Sequence, residues 1–476
     1  MKKAYMGGRL KRLREERGIT QLALAEALDL SASYVNQLEK NQRPLTVGVL
    51  LKINAAFGVD VQLFSEESEA RLLADLRDVF ADPIVSERAT TGELQEIVSN
   101  MPTFGRALVT LHRRYRGAAE RADAMMAGLG HSEEGVSSLA SPQPHEQVRD
   151  FFYAHHNHFA ELDEAAEQLF TQAKLVVGDV AGGLGDYLLR RHGVTVVLDS
   201  DEPGADGDPP QRLYRAEDRI LRISARLNTG QRAFQMATQL AFLEQNEIID
   251  KLAKEAAGAS AETYRLARIG LASHFAGALL MPYGQFLRAA EELRYDIERL
   301  GDRFGIGFET ACHRLSTLQR AEARGVPFFF IRVDRAGNIS KRQSATDFHF
   351  SRVGGACPLW NVYEAFAQPG RILTQLARMP DGRAYLWVAR TVSHGPGGYG
   401  APRKTFAIGL GCDLRHASRL VYSKGLDLSD PAAATPIGAG CKVCERPCCP
   451  QRAFPHIGQS LAIDENQRRF APYSAK

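Results

Sequence analysis

A cysteine cluster towards the carboxyl end constrains the fold of this chain more than any other feature of its sequence. Residues 440–455, GCKVCERPCCPQRAFP, contain Cys441, Cys444, Cys448 and Cys449, four of the seven cysteines. A Cys-x-x-Cys pair followed within a few residues by another thiol is typical of ligands that converge on one metal ion or cluster. Buried or disulfide-paired cysteines are the alternative. Because the sequence shows no apolar signal-peptide region, we expect a reducing, cytoplasmic compartment, where this spacing favours metal or redox chemistry.

The composition is that of an ordinary globular protein with several domains. The chain has 476 residues, 44% hydrophobic and 24% charged, which suggests about three domains. No apolar run approaches the length of a membrane span. The first 50 residues hold nine Lys or Arg against five Asp or Glu, whereas the net charge of the whole chain is only +3. This uneven charge indicates an anionic partner for the first segment.

The amino-terminal segment predicts two short helices joined by a tight turn. Thr20 is the expected N-cap of a helix over residues 21–28, and Ser31 caps a helix that runs through Leu38. In a helix-turn-helix, the second helix enters the major groove, where Asn and Gln can contact adenine. A helical packing module without a DNA role is the alternative. The predicted DNA contacts on the second helix are Ser31, Ser33, Tyr34, Asn36 and Gln37. Gln21 is predicted to bind phosphate or to support Gln37, and Arg43 is predicted to contact a phosphate.

Residues 9–45 resemble the Cro/repressor-like (XRE) helix-turn-helix family nearly position by position. This resemblance implies a domain, residues 1–66, that binds double-stranded promoter DNA. The matching residues are Leu13, Arg14, Gly18, Thr20, Gln21, Leu24, Ala25, Leu28, Ser31, Ser33, Tyr34, Val35, Leu38, Glu39 and Arg43.

A helical connector with a linker is predicted for residues 67–147. Its longest helix covers residues 107–127, and the apolar face of this helix is either a core-facing stripe or a dimer seam. Residues 128–147 are rich in Gly, Ser and Pro and are the predicted linker.

The central region, residues 148–322, resembles the ImmA/IrrE-type metallopeptidase fold through RAFQMATQLAFLE and HFAGALLMP. The family carries a His-Glu-x-x-His zinc motif on the first of these helices. The matching positions here are Thr238, Gln239 and Phe242, so we expect no enzyme activity. Many arginines and aromatic residues accompany these segments. They favour a ligand with phosphates and a short acyl tail, or else a solvated basic surface around an ordinary core.

Residues 323–476 complete a resemblance that covers essentially the whole chain. The segments CPLWNVYEAF, KTFAIGLGCDLRHA and TPIGAGCKVCERPCCPQRAFP look like the C-terminal domain of the short-chain fatty acyl-CoA regulators, RamB and PrpR types. The family implies control of acetate and propionate metabolism genes, including the glyoxylate shunt and methylcitrate cycle, with acyl-CoA or CoA as effector. The predicted fold class is multidomain α+β: a helix-turn-helix domain, a degenerate ImmA/IrrE-like domain and a cysteine-rich metal-binding domain. We expect a homodimer or higher homo-oligomer.

The same resemblance implies a metal site on the cysteine cluster. The family pattern matches Cys441, Cys444 and Cys449, and its upstream cysteines match Cys357 and Cys412. The predicted ligands are Cys357, Cys441, Cys444 and Cys449, with Cys412 in reserve and Cys448 as the extra thiol. PrpR-type members imply a 4Fe-4S cluster, although spacing alone fits zinc equally well. The alternative functions are an ImmA-like metallopeptidase and an antitoxin-like DNA-binding protein.

Overall fold

The computed structural model divides the chain into two compact units. The amino-terminal unit comprises residues 1–141, 347–356 and 439–476, and the central unit comprises residues 142–346 and 357–438. The residues described are 7–40, 42–43, 45–57, 66–82, 84–85, 87, 89–126, 144–199, 210–258, 260–346, 348, 356–395, 403–446, 448–455, 463, 466–467 and 470. The predicted linker therefore lies mostly outside the described residues.

Four short helices open the amino-terminal unit and enclose a small core. They are α1 (Gly7–Glu16), α2 (Gln21–Ala27), α3 (Ala32–Glu39) and α4 (Val47–Phe57). Leu10, Leu24, Val35, Leu38 and Ile53 are almost fully buried between them. Because these apolar residues recur at helical spacing, one face of each helix is committed to the core and the other is left to solvent.

Three further helices follow in the same unit. They are α5 (Glu66–Phe80), α6 (Thr91–Asn100) and α7 (Pro102–Met126). The predicted long helix is confirmed but begins five residues earlier, at Pro102, because proline is favoured in the first helical turn. The cysteine loop belongs to this unit as well, and Nε of Arg77 on α5 lies 3.7 Å from Oε1 of Glu445.

The central unit begins with helices around a three-stranded sheet. The helices are α8 (Pro144–Ala154), α9 (Ala160–Gln172), α10 (Val180–His192), α11 (Thr229–Glu244), α12 (Asn246–Ala257), α13 (Ala261–Leu280), α14 (Tyr283–Glu292), α15 (Ile297–Phe304) and α16 (Phe308–Leu315). The strands are β1 (Thr195–Asp199), β2 (Arg212–Arg215) and β3 (Ile220–Ser224). In the order β1-β3-β2, β3 pairs parallel with β1 and antiparallel with β2.

A six-stranded sheet completes the central unit. Its strands are β4 (Phe329–Val333), β5 (Ile339–Ser344), β6 (Leu373–Arg378), β7 (Ala384–His394), β8 (Lys404–Asp413) and β9 (Thr435–Pro436), with the short helix α17 (Asn361–Glu364) before β6. The order is β5-β4-β8-β7-β6-β9. Gly411 is required on β8 because a Cβ there would lie 2.1 Å from Cζ of Phe329.

One hydrophobic core, running from Phe159 to Ala434, joins the helices to this sheet. The α+β prediction is therefore confirmed for the described residues, but the strands before residue 438 share a core with the IrrE-like helices. No helix among the described residues is both long and apolar enough to cross a membrane.

Candidate functional sites

The α2–turn–α3 segment has the geometry expected of a helix-turn-helix. The hydroxyl of Thr20 accepts a hydrogen bond from the Ala23 amide at 3.2 Å, and that of Ser31 accepts one from the Tyr34 amide at 3.1 Å. Both predicted N-caps are therefore confirmed, and each satisfies a backbone donor that the first helical turn leaves free. Because Val35 turns into the core, the polar residues of α3 occupy its outer side.

The polar side of α3 has graded exposure. Ser31 and Ser33 at its amino-terminal end are exposed, whereas Asn36 and Gln37 one turn later are half-buried. This arrangement leaves short hydroxyls at the end of the helix that would approach a groove first, with two amides behind them. The assignment of these side chains to bases or phosphates stays a prediction.

A buried carboxylate holds α1, α2 and α3 together. Glu39 is 7% exposed, Nε of Arg14 donates to its Oε1 at 2.7 Å, and Nε2 of Gln21 donates to its Oε2 at 2.6 Å. The hydrogen bond to Glu39 raises the pKa of Arg14. The amide nitrogen of Gln21 is bound to Glu39, and the predicted contact of Gln21 with phosphate or Gln37 stays a prediction. Sequence reasoning missed this role of Glu39; the signal was an acid at the end of an otherwise neutral α3.

Arg43 lies in the loop that follows α3. Its guanidinium carbon is 5.4 Å from the centre of the Tyr34 ring, and its backbone amide donates to the Gln37 carbonyl at 3.3 Å. The side chain is exposed, and the ring contact orients it without neutralising its charge. This position is compatible with the predicted phosphate contact.

Helix α11 matches the helix that carries the zinc motif in metallopeptidases, but it has different side chains at the motif positions. Thr238 donates its hydroxyl to the Phe234 carbonyl at 2.7 Å, and Gln239 is buried. The Phe242 ring has the guanidinium groups of Arg212 and Arg268 at 5.6 Å each. Burial lowers the pKa of Arg212. The three side chains at the motif positions contain neither imidazole nor carboxylate, so they cannot form the zinc site of a peptidase.

An ion cluster inside the central unit was not foreseen from the sequence. The Asp163 carboxylate is fully buried and receives the Arg314 guanidinium, and Nδ1 of His158 and Nε2 of His274 lie 3.0 and 3.6 Å from its Oδ2. Burial by itself would raise the pKa of Asp163, but Arg314 and the two histidines outweigh it and hold this pKa well below its usual range. The cluster ties α9, α13 and α16 to one another.

The cysteine loop is organised by one arginine. The Arg452 guanidinium donates to the carbonyls of Cys441 and Cys444, at 3.2 Å each. Cys441 is buried, Cys449 is half-buried, and Cys448 is exposed. The seven cysteines, all of which lie within the described residues, form no disulfide. The sequence-predicted ligands Cys441, Cys444 and Cys449 therefore belong to a single clamped loop.

The two upstream cysteines have different surroundings in the central unit. Sγ of Cys357 accepts a hydrogen bond from the Gly438 amide at 3.4 Å. Cys412 is fully buried on β8 within the apolar core, and burial raises the pKa of its thiol. Cys357 as the upstream ligand, with Cys412 in reserve, stays a prediction.

The chemistry of the donors suits a soft metal, since thiolates bind zinc and iron–sulfur clusters. Their placement does not yet provide a site: across the described residues, no group of three or more His, Cys, Asp or Glu is arranged to hold a metal ion. The predicted four-cysteine site is therefore carried by the residue types and spacing alone.

Three parts of the chain match known protein families. Residues 10–64 match the helix-turn-helix family, residues 189–316 the IrrE N-terminal-like domain, and residues 317–473 the short-chain fatty acyl coenzyme A regulator C-terminal domain.

Similar proteins extend over nearly the full length. The chain is 52% identical to the HTH-type transcriptional regulator PrpR of Mycobacterium tuberculosis, over 99% of this chain and 96% of that protein. It is 51% identical to RamB of the same organism over 100% of both chains, and 43% identical to the propionyl-CoA carboxylase regulator of Cereibacter sphaeroides over 99% and 98%. A solved structure of a Mycobacterium tuberculosis transcriptional regulator matches with a TM-score of 0.67 and 55% identity, over 70% of this chain and 100% of that one.

Proposed function

The chain belongs to the family of transcriptional regulators that carry the short-chain fatty acyl coenzyme A regulator domain, and we propose that it controls acetate and propionate metabolism genes, including those of the glyoxylate shunt and methylcitrate cycle, in response to a short-chain acyl-CoA. The observation that carries the proposal is the capped α2–turn–α3 segment, whose outer polar side is free of the core. The name of the Cereibacter sphaeroides relative, a propionyl-CoA carboxylase regulator, supports propionate genes as targets.

The DNA-binding part of the proposal assigns base contacts to Asn36 and Gln37 and phosphate contacts to Arg43. Asn36→Ala or Gln37→Ala is expected to weaken binding to the cognate promoter about 5- to 100-fold, because a good bidentate base contact contributes roughly 1–3 kcal/mol. Binding to unrelated DNA and its salt dependence should change little. Arg43→Gln should weaken binding to both DNAs and make the salt dependence shallower.

The measurement is fluorescence anisotropy with promoter and scrambled duplexes at several salt concentrations. Gln172→Ala, an exposed glutamine at the end of α9 in the central unit, is the matched control and should bind like wild type. Wild-type promoter affinity in both the Asn36 and Gln37 variants would refute the assignment of α3 as the recognition helix.

The effector part of the proposal locates acyl-CoA in the central unit. The family match of residues 317–473 supports the ligand class, and the Arg212 guanidinium beside the Phe242 ring supports a ligand that carries phosphates next to an aromatic ring. Acetyl-CoA and propionyl-CoA should raise the thermal midpoint of the central unit and shift promoter affinity, since a ligand that prefers one state shifts the equilibrium towards it. If neither CoA ester binds at millimolar concentration, the effector assignment fails.

The proposal also includes a metal on the cysteine loop, held by Cys441, Cys444, Cys449 and Cys357, as a 4Fe-4S cluster or zinc. The residue types, the spacing of the loop cysteines and the Arg452 clamp support it. Anaerobic purification with a visible spectrum and iron, sulfide and zinc analysis is the test. Cys357→Ser should lower metal content and Cys448→Ser should not. Protein that carries neither zinc nor iron under these conditions would overturn this part of the proposal.

Peptidase activity is not part of the proposed function. Thr238, Gln239 and Phe242 offer no zinc ligand and no general base. Hydrolysis of a repressor-like substrate that a chelator abolishes would contradict this.

A further inference from the structure

An apolar stripe runs along the exposed side of α7. Phe104 and Leu111 are 59% and 66% exposed, Tyr115 is 41% exposed, and Leu108 between them is half-buried. Scattered apolar residues on a surface need no explanation, but four at successive separations of 4, 3 and 4 residues lie on one line of a helix. Such a line of exposed apolar side chains is a candidate contact surface for another helix.

The face of α7 that adjoins the stripe already has its partners. Val109 is buried among side chains of α5 and α6. Gly105 allows α7 to pack closely against α5 and α6, because a Cβ there would lie 3.2–3.3 Å from side-chain atoms of both helices. Nε2 of His112 lies 2.8 Å from the Asp82 carboxylate, and Arg113 donates to Asp75 at 3.0 Å. These contacts fix α7 against its own unit and leave Phe104, Leu111 and Tyr115 facing outwards, with Leu108 at the edge of the buried face.

The spacing of the stripe is that of a coiled-coil seam. In the sequence the alternation of 4 and 3 residues continues to the end of the helix, and every position is apolar: Phe104, Leu108, Leu111, Tyr115, Ala118, Ala122 and Met125. A 3.5-residue repeat matches another helix with the same repeat, and a second copy of this chain supplies one. We propose that α7 is the dimer seam of this protein and pairs in parallel with α7 of a second copy.

The charges beside the seam favour the parallel over the antiparallel orientation of the two helices. At the positions that flank the seam, one side carries Arg114 and Arg121 and the other carries Gly105, His112 and Ala119. An antiparallel pair brings the arginine sides of the two copies together, which is unfavourable. A parallel pair places the arginine side of each helix beside the side of the other helix that has no arginine in the sequence.

The parallel orientation also suits DNA binding, and here the inference rests on the proposed function. The helix-turn-helix and α7 belong to the same compact unit, in which α1 contacts α6. Two parallel α7 helices therefore present their helix-turn-helix motifs at the same end, as two half-sites on one duplex require. The seam and the flanking positions named above comprise 12 residues per helix, fewer than the roughly 20–30 per side of a standard interface, so the dimer should dissociate at micromolar concentration.

The test compares Leu111→Glu with Leu189→Glu by sedimentation velocity from 1 to 100 μM on the full chain. Leu189 on α10 is the matched control, since it is similarly exposed, at 54%, and lies outside the amino-terminal unit. Wild type and Leu189→Glu are expected to show a monomer–dimer equilibrium, and Leu111→Glu a dissociation constant at least tenfold higher. Equal circular dichroism and thermal midpoints will show that both variants fold. A wild type that is monomeric throughout, or a Leu111→Glu variant that dimerises like wild type, overturns the proposal.

A second measurement identifies the occupant of the stripe. A photo-crosslinking residue in place of Phe104, in mixed dimers of ¹⁴N- and ¹⁵N-labelled chains, should give mixed-isotope crosslinks to the first turns of α7 in the other copy. Crosslinks that are only intrachain, to the central unit, refute the seam, and mixed-isotope crosslinks to the far end of α7 refute the parallel orientation. Promoter binding by a monomeric wild type would leave the proposed function standing without the seam. A dimer that binds no promoter would leave the seam standing and refute the proposed function.

Discussion

Replacing Asp163 with alanine should destabilise the central unit more than almost any other single change. The substitution leaves the Arg314 guanidinium, 2% exposed, without its carboxylate, and removes the common partner of His158 and His274. Removing one member of a buried ion pair costs about 3–5 kcal/mol, because the remaining charge stays out of water. For a unit of this size, roughly 2–4 °C per kcal/mol implies a thermal midpoint lower by about 6–20 °C.

The assay is intrinsic fluorescence during thermal and urea unfolding. Trp360 and Trp387, the two tryptophans of the chain, are both buried in the central unit, so the signal reports on that unit. Glu161→Ala is the matched control: it removes an acid on the same helix whose carboxylate lies 2.8 Å from Nζ of Lys251 at the surface. Water and salt screen that pair, so the control should unfold like wild type.

A double variant separates the buried charge from the lost packing. Asp163→Leu with Arg314→Met replaces the pair by apolar side chains and should recover most of the stability that Asp163→Ala loses. If Asp163→Ala unfolds at the same midpoint as Glu161→Ala, the buried pair does not hold α9 to α16 and the reasoning fails.

Three further predictions concern pH, packing and the cysteine loop. Burial lowers the pKa of His274, so below about pH 6.5 the unfolded chain binds a proton that the folded chain does not. The free energy of unfolding should therefore fall by roughly 1 kcal/mol between pH 7 and 5.5, measured by urea titration. The fall should be smaller in His274→Gln. Gly411→Ala should cost at least about 1–3 kcal/mol, because the added Cβ overlaps the Phe329 ring; an unchanged urea midpoint would contradict this. Arg452→Ala should release the loop and raise the labelling rate of Cys441 by maleimide severalfold, measured by mass spectrometry; an unchanged rate would show that the clamp does not protect this thiol.

Local features could be predicted because they depend on neighbouring residues. A hydroxyl at Thr20 or Ser31 caps the helix that follows it through an amide three residues away, so the two helices of the amino-terminal motif could be inferred from their first residues. Likewise, the loss of the metallopeptidase zinc site at Thr238, Gln239 and Phe242 could be inferred from residue types alone, because a side chain without a ligand atom cannot bind zinc in any fold.

Interactions between distant segments could not be predicted. Asp163 and Arg314 are separated by 151 residues, and their charges resemble those of ordinary surface residues until the fold removes both from water. The surroundings of Cys357 and Cys412 show the same limit. Both match the family pattern, and only the packing of β8 shows that Cys412 lies in the apolar core.

The sequence by itself determined the family, the helix-turn-helix and the thiol-rich composition of the loop, since each follows from residue type and short spacing. The tertiary structure decided which residues share a unit. It brought the cysteine loop to the unit of α1–α7 and the strands before residue 438 to the IrrE-like core. It also decided which face of α7 stays exposed. These outcomes depend on burial of apolar surface between segments far apart in the chain, which no local pattern specifies.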